Sequence, residues 1–579
     1  MAIDTSERRT HQPPQPTFAE LFTPKLVTIL REGYGWPQFR ADALAGLTVA
    51  IVALPLSMAI AIGSGLSPDK GLYTAIVGGF IISALGGSRF QIGGPAGAFI
   101  VLIATIVERH GYDGLVMATL MAGAMMLVIG FLQLGTYIKY IPYPVTVGFT
   151  AGIAVIIFAS QLKELLGLDM AVEPAALLPK LSAIAGSLNT IRPVTVGLAV
   201  LAIVIILTLR RYRPRWPGLL IAVGVASLLT YLLGLDVATI GTKFGGVPRS
   251  LPAPSLPAFD LAKMHDLLPD AIAIALLGSI ESLLSAVVAD GMTGRKHRSN
   301  CELVAQGVAN IASVSFSGMC ATGTIARTAT NVRSGAHGPI AGIMHALYVL
   351  LFMLVAAPLA AYIPLASLGA VLAIVAWNMA EKEEFWGLLR TSWGDAIVLL
   401  ATFLLTIFED LTVAIAVGVT LGSFLFLHRM AEAVEVETGH SMLAADAADA
   451  RGDDRITYDP HALGEDVLVY RIHGAFFFGA TATVGATLDR IGRHPRIFVL
   501  DFSDVPMVDT TAATALHRFV KKLRFSGTLV YFVGASKSVR RTLLIAGLRR
   551  PLVRYVATAE DAVEHARGGL SNMKTQVLA

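Results

Sequence analysis

One charged residue of each sign stands inside sequence apolar enough for a membrane. Glu281 interrupts the run 271–289, and Arg327 interrupts 321–329. A charge at the centre of a bilayer costs roughly 2.5–3.5 kcal/mol on insertion scales, so neither residue is there for stability. Arg keeps its proton, whereas a carboxyl can gain or lose one. Buried together, they form a cation that can hold an anion and a group that can carry a proton. An anion at Arg327 and a proton on Glu281 would favour each other, because an ionised Glu281 would repel the anion. The rival reading has the two charges neutralising each other as a structural pair. Ser282 and Ser285 lie on the Glu281 stretch as auxiliary hydrogen-bond donors, although membrane serines commonly serve packing.

Glycine-bearing breaks supply the second half of the site. Gly93-Gly94-Pro95-Ala96-Gly97 opens one short apolar segment, and Gly323-Thr324-Ile325-Ala326-Arg327 opens another. A helix that starts in mid-membrane points unsatisfied N–H groups and the positive end of its dipole at whatever faces it. Two such ends facing one another form an anion cradle from backbone alone. The alternative for either break is a proline kink that aids packing.

The elements that would hold these residues are membrane helices. The chain has 579 residues, of which 54% are hydrophobic and only 15% charged, against about 25% charged in soluble proteins. Mean hydropathy is +0.66. Apolar spans are expected at 43–64, 70–87, 94–108, 114–134, 144–162, 190–209, 216–234, 267–289, 300–317, 322–333, 338–358, 362–379, 395–408 and 411–427. The two short segments are third in each half of seven, the pattern of an inverted-repeat transporter. Basic residues cluster in alternate loops (Arg89, Lys139, Arg210 to Arg215, Arg295 to Arg298, Arg333, Lys382). Lys and Arg favour the cytoplasmic side, so both ends of the chain are expected in the cytoplasm. His345, in the eleventh span, reads as a hydrogen-bonded packing residue, and Asp290 with Arg295 to Arg298 as solvated interface charge.

Residues 431–462 are acidic and polar and read as a linker. Strands at 467–472, 496–500 and 528–533 then alternate with helices near 480–492, 511–523 and 537–547, which makes a small α/β domain. The net charge of +4 comes without a basic patch interleaved with aromatics, so no nucleic-acid partner is expected. Cys301 and Cys320 lie in or beside apolar spans, which argues against a disulfide framework. Residues 1–20 lack an apolar run, so no cleavable signal peptide is expected. No nucleophile–base pair or metal-ligand cluster appears, and neither catalysis, metal nor cofactor is expected.

At these residues the chain resembles the SulP (sulfate permease) anion transporter family. The match runs through Leu54-Pro-Leu-Ser-Met-Ala59, Gly71-Leu-Tyr73, Gly86-Gly-Ser-Arg89 and Gly93-Gly-Pro95. It continues in Gly278-Ser-Ile-Glu-Ser282, Ala289-Asp-Gly-Met-Thr-Gly294, Gly323-Thr-Ile-Ala-Arg327 and Val375-Ala-Trp-Asn-Met379. Asp501-Phe-Ser-Asp-Val505 and Val508-Asp-Thr-Thr511 resemble a STAS domain. The resemblance implies a polytopic α-helical protein of fourteen spans in a seven-plus-seven inverted repeat with two broken half-helices. Its domains would be an N-terminal segment (1–41), a transporter domain (42–428), a linker (429–462), a STAS domain (463–570) and a tail (571–579). Spans 1–4 and 8–11 would form a core, and spans 5–7 and 12–14 a gate.

The implied substrate set is Gly94, Pro95, Ala96, Gly97, Thr324, Ile325, Ala326 and Arg327 with Ser57 of the first span. Glu281 would couple protons, as proton-coupled members carry Glu there. The Gly-Ser-Ile-Glu-Ser and Ile-Ala-Arg-Thr motifs look closest to the bacterial C4-dicarboxylate (DauA-type) branch. Implied partners are a small inorganic or organic anion, protons, the lipid bilayer, a second copy in a homodimer and a cytoplasmic protein on the STAS domain. The setting is a bacterial inner membrane. Thr511 stands where related regulatory domains carry a phosphorylated Ser, but it reads first as a helix cap. Rival functions are a proton-independent exchanger of sulfate, bicarbonate or chloride, and a membrane-tethered STAS signalling module.

Overall fold

The structure, a computed structural model, describes residues 17–557 apart from 139–141, 171–173, 175, 214–215, 256, 258–260, 410, 433–434, 439–466, 478–495 and 526, together with 561–562. Two compact units divide it, Met1–Gly422 and Ser423–Ala579. Most of the expected linker, the helix near 480–492 and the tail lie outside the described residues.

The first unit is helical because its sequence leaves no other way to satisfy backbone polar groups in lipid. Its principal helices are α1 (Trp36–Gly63), α2 (Pro68–Tyr73), α3 (Gly79–Leu85), α4 (Ile100–Phe131), α5 (Tyr143–Leu166), α6 (Pro193–Tyr212) and α7 (Gly218–Leu233). Then come α8 (Leu268–Thr293), α9 (Ser299–Ser315), α10 (Ile325–Arg333), α11 (Ile340–Ala360), α12 (Leu365–Met379), α13 (Trp393–Phe408) and α14 (Leu411–Glu432). Among the described residues, eight helices are long and apolar enough to cross a membrane. The second expected span is α2 and α3 joined by a π-helical turn, Thr74–Gly78. The third and fourth fall on α4, which breaks at Gly111 with φ 69° and ψ −175°. That backbone excludes most side chains, so glycine sets the break.

Two groups of helices emerge from the packing. In one, α9 and α8 lie on α4, α11 lies on α1 and α3, and α10 lies on α8 and α1. In the other, α12 and α13 lie on α5, and α6 lies on α7 and α12. The groups meet where α1 touches α12 and α7, and where α4 touches α5. Short β-strands β1 (Gly93–Gly94) and β2 (Thr322–Gly323) sit inside the first group.

The second unit carries a five-stranded sheet in the order β3-β4-β5-β6-β7, with β3 (Glu435–Thr438), β4 (Val467–His473), β5 (Ile497–Asp501), β6 (Leu529–Val533) and β7 (Arg554–Val556). β3 is antiparallel to β4 and the rest are parallel. β5 is buried on both faces, as the central strand of a parallel sheet must be. Helix α15 (Thr510–Phe525) packs Leu516 and Val520 with Phe498, Leu500 and Phe532, and α16 (Lys537–Ile545) follows β6. Strand β3 falls within the stretch read as linker: backbone pairing with β4 overrides its acidic composition. Thr511 is not the cap of α15. Asp509 Oδ1 accepts from Ala512 N at 2.7 Å, and Thr511 stands exposed in the first turn. A cap must precede the helix to reach its free N–H groups, and Thr511 lies inside it.

At the end of β5, Asp501 accepts from Arg471 Nε (2.8 Å), Ser503 N (2.9 Å) and Ser503 Oγ (2.6 Å). Burial pushes its carboxyl up, but the bonds from Ser503 and Arg471 outweigh this and hold it below the ordinary value. Asp501→Asn should therefore destabilise this unit by about 1–3 kcal/mol at pH 7. A depressed carboxylate stabilises fully above its unfolded pKa, about 3.9, and loses that contribution as pH falls through the folded value. Hydrogen exchange of β5 peptides in the full chain should thus separate wild type from variant at pH 7, with the gap closing below about pH 4. An equal gap at both pH values would assign the loss to packing.

Candidate functional site

The two breaks found in the sequence meet each other. β1 and β2 pair antiparallel, with Gly93 opposite Gly323 and Gly94 opposite Thr322. From this crossing the chain runs one way through a 3-10 turn, Gly97–Phe99, into α4, and the other way into α10. Backbone freed from helix needs partners where no water is at hand, and the surrounding side chains supply them. Asn310 bonds Ala321 in both directions, Nδ2 to its carbonyl (2.8 Å) and Oδ1 from its N–H (2.9 Å). Thr322 Oγ1 donates to the Gly278 carbonyl at 3.0 Å. Thr324 donates to the Ile92 carbonyl through N (3.0 Å) and Oγ1 (3.2 Å), and Ile92 N donates to Thr328 Oγ1 at 3.1 Å. Asn331 Nδ2 reaches the Phe90 carbonyl at 2.9 Å.

Arg327 joins the two half-helices. It projects from the first turn of α10, and its Nη2 donates to the Pro95 carbonyl at the head of the other break. Its guanidinium lies against Gly94: a Cβ there would sit 2.5 Å from Nη1, at a backbone φ of 152°. Only 2% of Arg327 is exposed, and its Nε and Nη1 have no partner. The cation is thus walled into the crossing rather than projecting from it. On α8, Glu281 is partly exposed, and its Oε2 has no partner either. Arg327 is the charge that acts on Glu281, and Glu281 the one that acts on Arg327.

The other predicted residues divide between wall and accessible side. Gly94, Pro95, Ala96 and Thr324 are buried in the crossing. Ala326 is exposed, and Ile325 and Gly97 are half-buried. Gly97 faces the second helix group, where a Cβ would lie 3.2 Å from Met379 Sδ and 4.0 Å from Ile157. Ser57, after the in-helix Pro55, is fully buried with a partnerless hydroxyl, as is Ser279.

Ser282 and Ser285 spend their bonds inside the wall. Ser282 Oγ accepts from Gln91 Nε2 (2.6 Å) and donates to Glu302 Oε1 (3.4 Å), and Ser285 Oγ donates to Thr328 Oγ1 (3.0 Å). Glu302, a second buried carboxylate that sequence reading passed over, also accepts from Gln306 Nε2 and Ser88 N, each at 3.0 Å. A signal for it exists: Glu302, Gln306 and Asn310 recur at i, i+4 and i+8, a polar stripe on one face of an apolar helix. His345 differs from expectation. It is fully buried and neither ring nitrogen has a partner; Gly79 of α3, which offers no side chain, lies against the ring, where a Cβ would sit 3.9 Å from Cε1. The charges after α8 are also more than solvated. His297 Nδ1 lies 2.7 Å from Asp290, and Arg298 Nη1 donates to Thr23 O (2.6 Å) and Thr28 Oγ1 (2.9 Å).

Comparison with known proteins gives this geometry a context. Residues 39–402 match the profile of the Sulfate permease family, and residues 463–562 that of the STAS domain. YvdB of Bacillus subtilis is 39% identical over 521 residues, covering 89% of this chain and 95% of YvdB. The bicarbonate transporter BicA of Synechocystis is 32% identical over 518 residues, covering 87% of this chain and 90% of BicA. Among solved structures, the murine anion transporter Solute Carrier 26 family member A9, in its inward-facing state, superposes with a TM-score of 0.81 at 18% identity, covering 97% of each chain. At that identity the likeness is one of fold.

Gly94→Ala tests the crossing. An L-residue at this φ carries strain of about 1–3 kcal/mol, and its Cβ would also displace the Arg327 guanidinium. Anion uptake in proteoliposomes should fall about tenfold or more, with the variant still extracted as a monodisperse protein. Uptake near the wild-type rate would show that the contact between Gly94 and Arg327 has no bearing on transport.

Proposed function

This chain belongs to the sulfate permease family and carries a STAS domain, so it is a membrane anion transporter rather than an enzyme, and we propose that it moves its anion together with a proton. The observation that carries this reading is the pair of unsatisfied charges beside the crossing: two partnerless nitrogens on Arg327 and a partnerless oxygen on Glu281. Buried polar groups left unpaired cost about 1–3 kcal/mol each, so such an arrangement has reason to persist where a ligand completes it. An anion would be held by the N-termini of the two half-helices within the field of Arg327, with Ser57 as a further donor. A proton on Glu281 would remove its repulsion of that anion, which ties the two binding events into one thermodynamic coupling.

The substrate proposed is a C4-dicarboxylate or sulfate. The motif around Glu281 looks closest to the C4-dicarboxylate branch but does not separate the two substrates, the family's name points to sulfate, and BicA is named for bicarbonate. The helix group around the crossing is read as a moving core, and the group built on α5 and α12 as a gate, in alternating access. The proposal includes a homodimer in a bacterial inner membrane, both ends of the chain in the cytoplasm and a cytoplasmic protein partner for the STAS domain.

Uptake of labelled succinate and sulfate into proteoliposomes, with and without an inward proton gradient, tests the reading. Stimulation of either substrate by the gradient is the expected result. Flux indifferent to the gradient would overturn the coupling and favour a proton-independent exchanger, and absence of flux for any anion would favour a signalling module. Arg327→Ala should lose at least about 90% of uptake, in line with removal of a central cation from an anion site. Glu281→Gln should keep exchange of internal for external anion but lose its response to pH. A variant still accelerated by the gradient would remove Glu281 from the coupling role.

A further inference from the structure

We infer that Glu302 is a positioning residue for anion binding: without touching the anion, it fixes both arms of the crossing and the helix that carries Glu281 relative to one another. This rests on the proposed reading of the crossing as the anion site. Glu302 stands in the first turn of α9 and is fully buried. The amino end of a helix favours a carboxylate there, and the three donors that reach it are a backbone N–H, an amide and a hydroxyl, all neutral. An ionised carboxylate only accepts, and its two oxygens have room for about four bonds. That capacity lets one side chain gather three separate segments.

Each donor leads to a different part of the site. Ser88 N, 3.0 Å from Oε2, belongs to the loop that enters β1. Gly86 and Gly87 let that loop lie close on α9: a Cβ on Gly86 would stand 3.0 Å from Glu302 Oε2, and one on Gly87 would collide with the Arg298 carbonyl. Gln306 Nε2 donates to Oε1 at 3.0 Å, and the Gln306 carbonyl accepts from Asn310 Nδ2 at 2.9 Å. Asn310 in turn holds Ala321, the residue before β2. Ser282, next to Glu281 on α8, donates to Oε1 at 3.4 Å and accepts from Gln91 Nε2 at 2.6 Å. The Gln91 amide lies against Gly323 of β2, where a Cβ would collide with it. The chain from Glu302 through Ser282 and Gln91 therefore ends on the residue paired with Gly93. A second buried carboxylate shows what is particular to Glu302. Asp42 is as deeply buried and also takes three donors, Tyr34 Oη, His337 N and Gly338 N. Its partners precede α1 and α11, whereas those of Glu302 lead to β1 and β2.

The test is the concentration dependence of labelled sulfate and succinate uptake by the full chain in proteoliposomes, with melting temperatures measured on the same preparations. Glu302→Gln keeps the shape of the side chain but turns one accepting oxygen into an NH2 group, so a donor loses its acceptor. Its KM for the transported anion should rise about tenfold, by more than its maximal rate falls. Asp42→Asn should lower the melting temperature at least as far and leave KM within about twofold of wild type, since sites without shared partners act independently. Ser282→Ala removes only the link to Gln91 and is the gentler variant should Glu302→Gln not fold; its KM should rise severalfold. The two substitutions together should give the KM of Glu302→Gln alone, because both cut the same chain. An unchanged KM in Ser282→Ala and Glu302→Gln, while Arg327→Ala loses uptake, overturns this inference and leaves the anion site standing. A KM that rises equally in Asp42→Asn also overturns it, by assigning the effect to lost stability. Uptake by Arg327→Ala at the wild-type KM would overturn the reading of the crossing as the anion site, and this inference with it.

Discussion

Everything in the transmembrane unit follows from one demand: backbone polar groups exposed by a broken helix must be paired where water is scarce. Two breaks answer it jointly by pairing with each other, Gly93 against Gly323 and Gly94 against Thr322. The leftover groups then dictate the chemistry of their neighbours. Ala321 needs a donor and an acceptor at once, and the Asn310 amide is the side chain that offers both. Ile92 needs the same, and receives it from Thr324 and Thr328. Polar residues in α8, α9 and α10 are therefore consequences of the crossing, and so is the steric exclusion of side chains at Gly94 and Gly323.

Arg327 belongs to this scheme in two ways. Its bond to the Pro95 carbonyl makes it a strut between half-helices. Its buried charge, with two nitrogens unused, adds to the positive ends of both helices. A cation that holds the frame and also sets its potential would be hard to exchange for lysine, whose single ammonium lacks the fork needed to do both.

Much of this was legible in the sequence. The breaks were visible as glycine and proline clusters ahead of short apolar runs, and Arg327 and Glu281 as charges out of place. Their physical signatures are local, and local signatures survive in one dimension. The bonds from Gln91 to Ser282 and from Ser282 to Glu302 were not legible, since they join residues 191 and 20 positions apart. Glu302 itself was readable from its four-residue spacing with Gln306 and Asn310, but a carboxylate near the end of a span resembles an interface residue. His345 misled because the absence of a partner for its ring depends on residues of other helices, such as Gly79 of α3. In the second unit, strands with buried apolar runs were found, whereas β3, four residues of charged composition, exists only because β4 offers an edge.

The boundary between the two helix groups has a different texture from the crossing. Gly63 on α1 abuts Leu372 of α12, and Gly97 abuts Met379 and Ile157. Methyl and thioether groups against bare backbone have no directional bond to break when one surface slides along the other, and methionine adapts its shape at little cost. The crossing is stiff by cross-linking, whereas these contacts across the seam are apolar. Under the alternating-access reading proposed above, resistance to motion would be confined to this one plane, and the bulk of the groups along it would set how fast the carrier turns over.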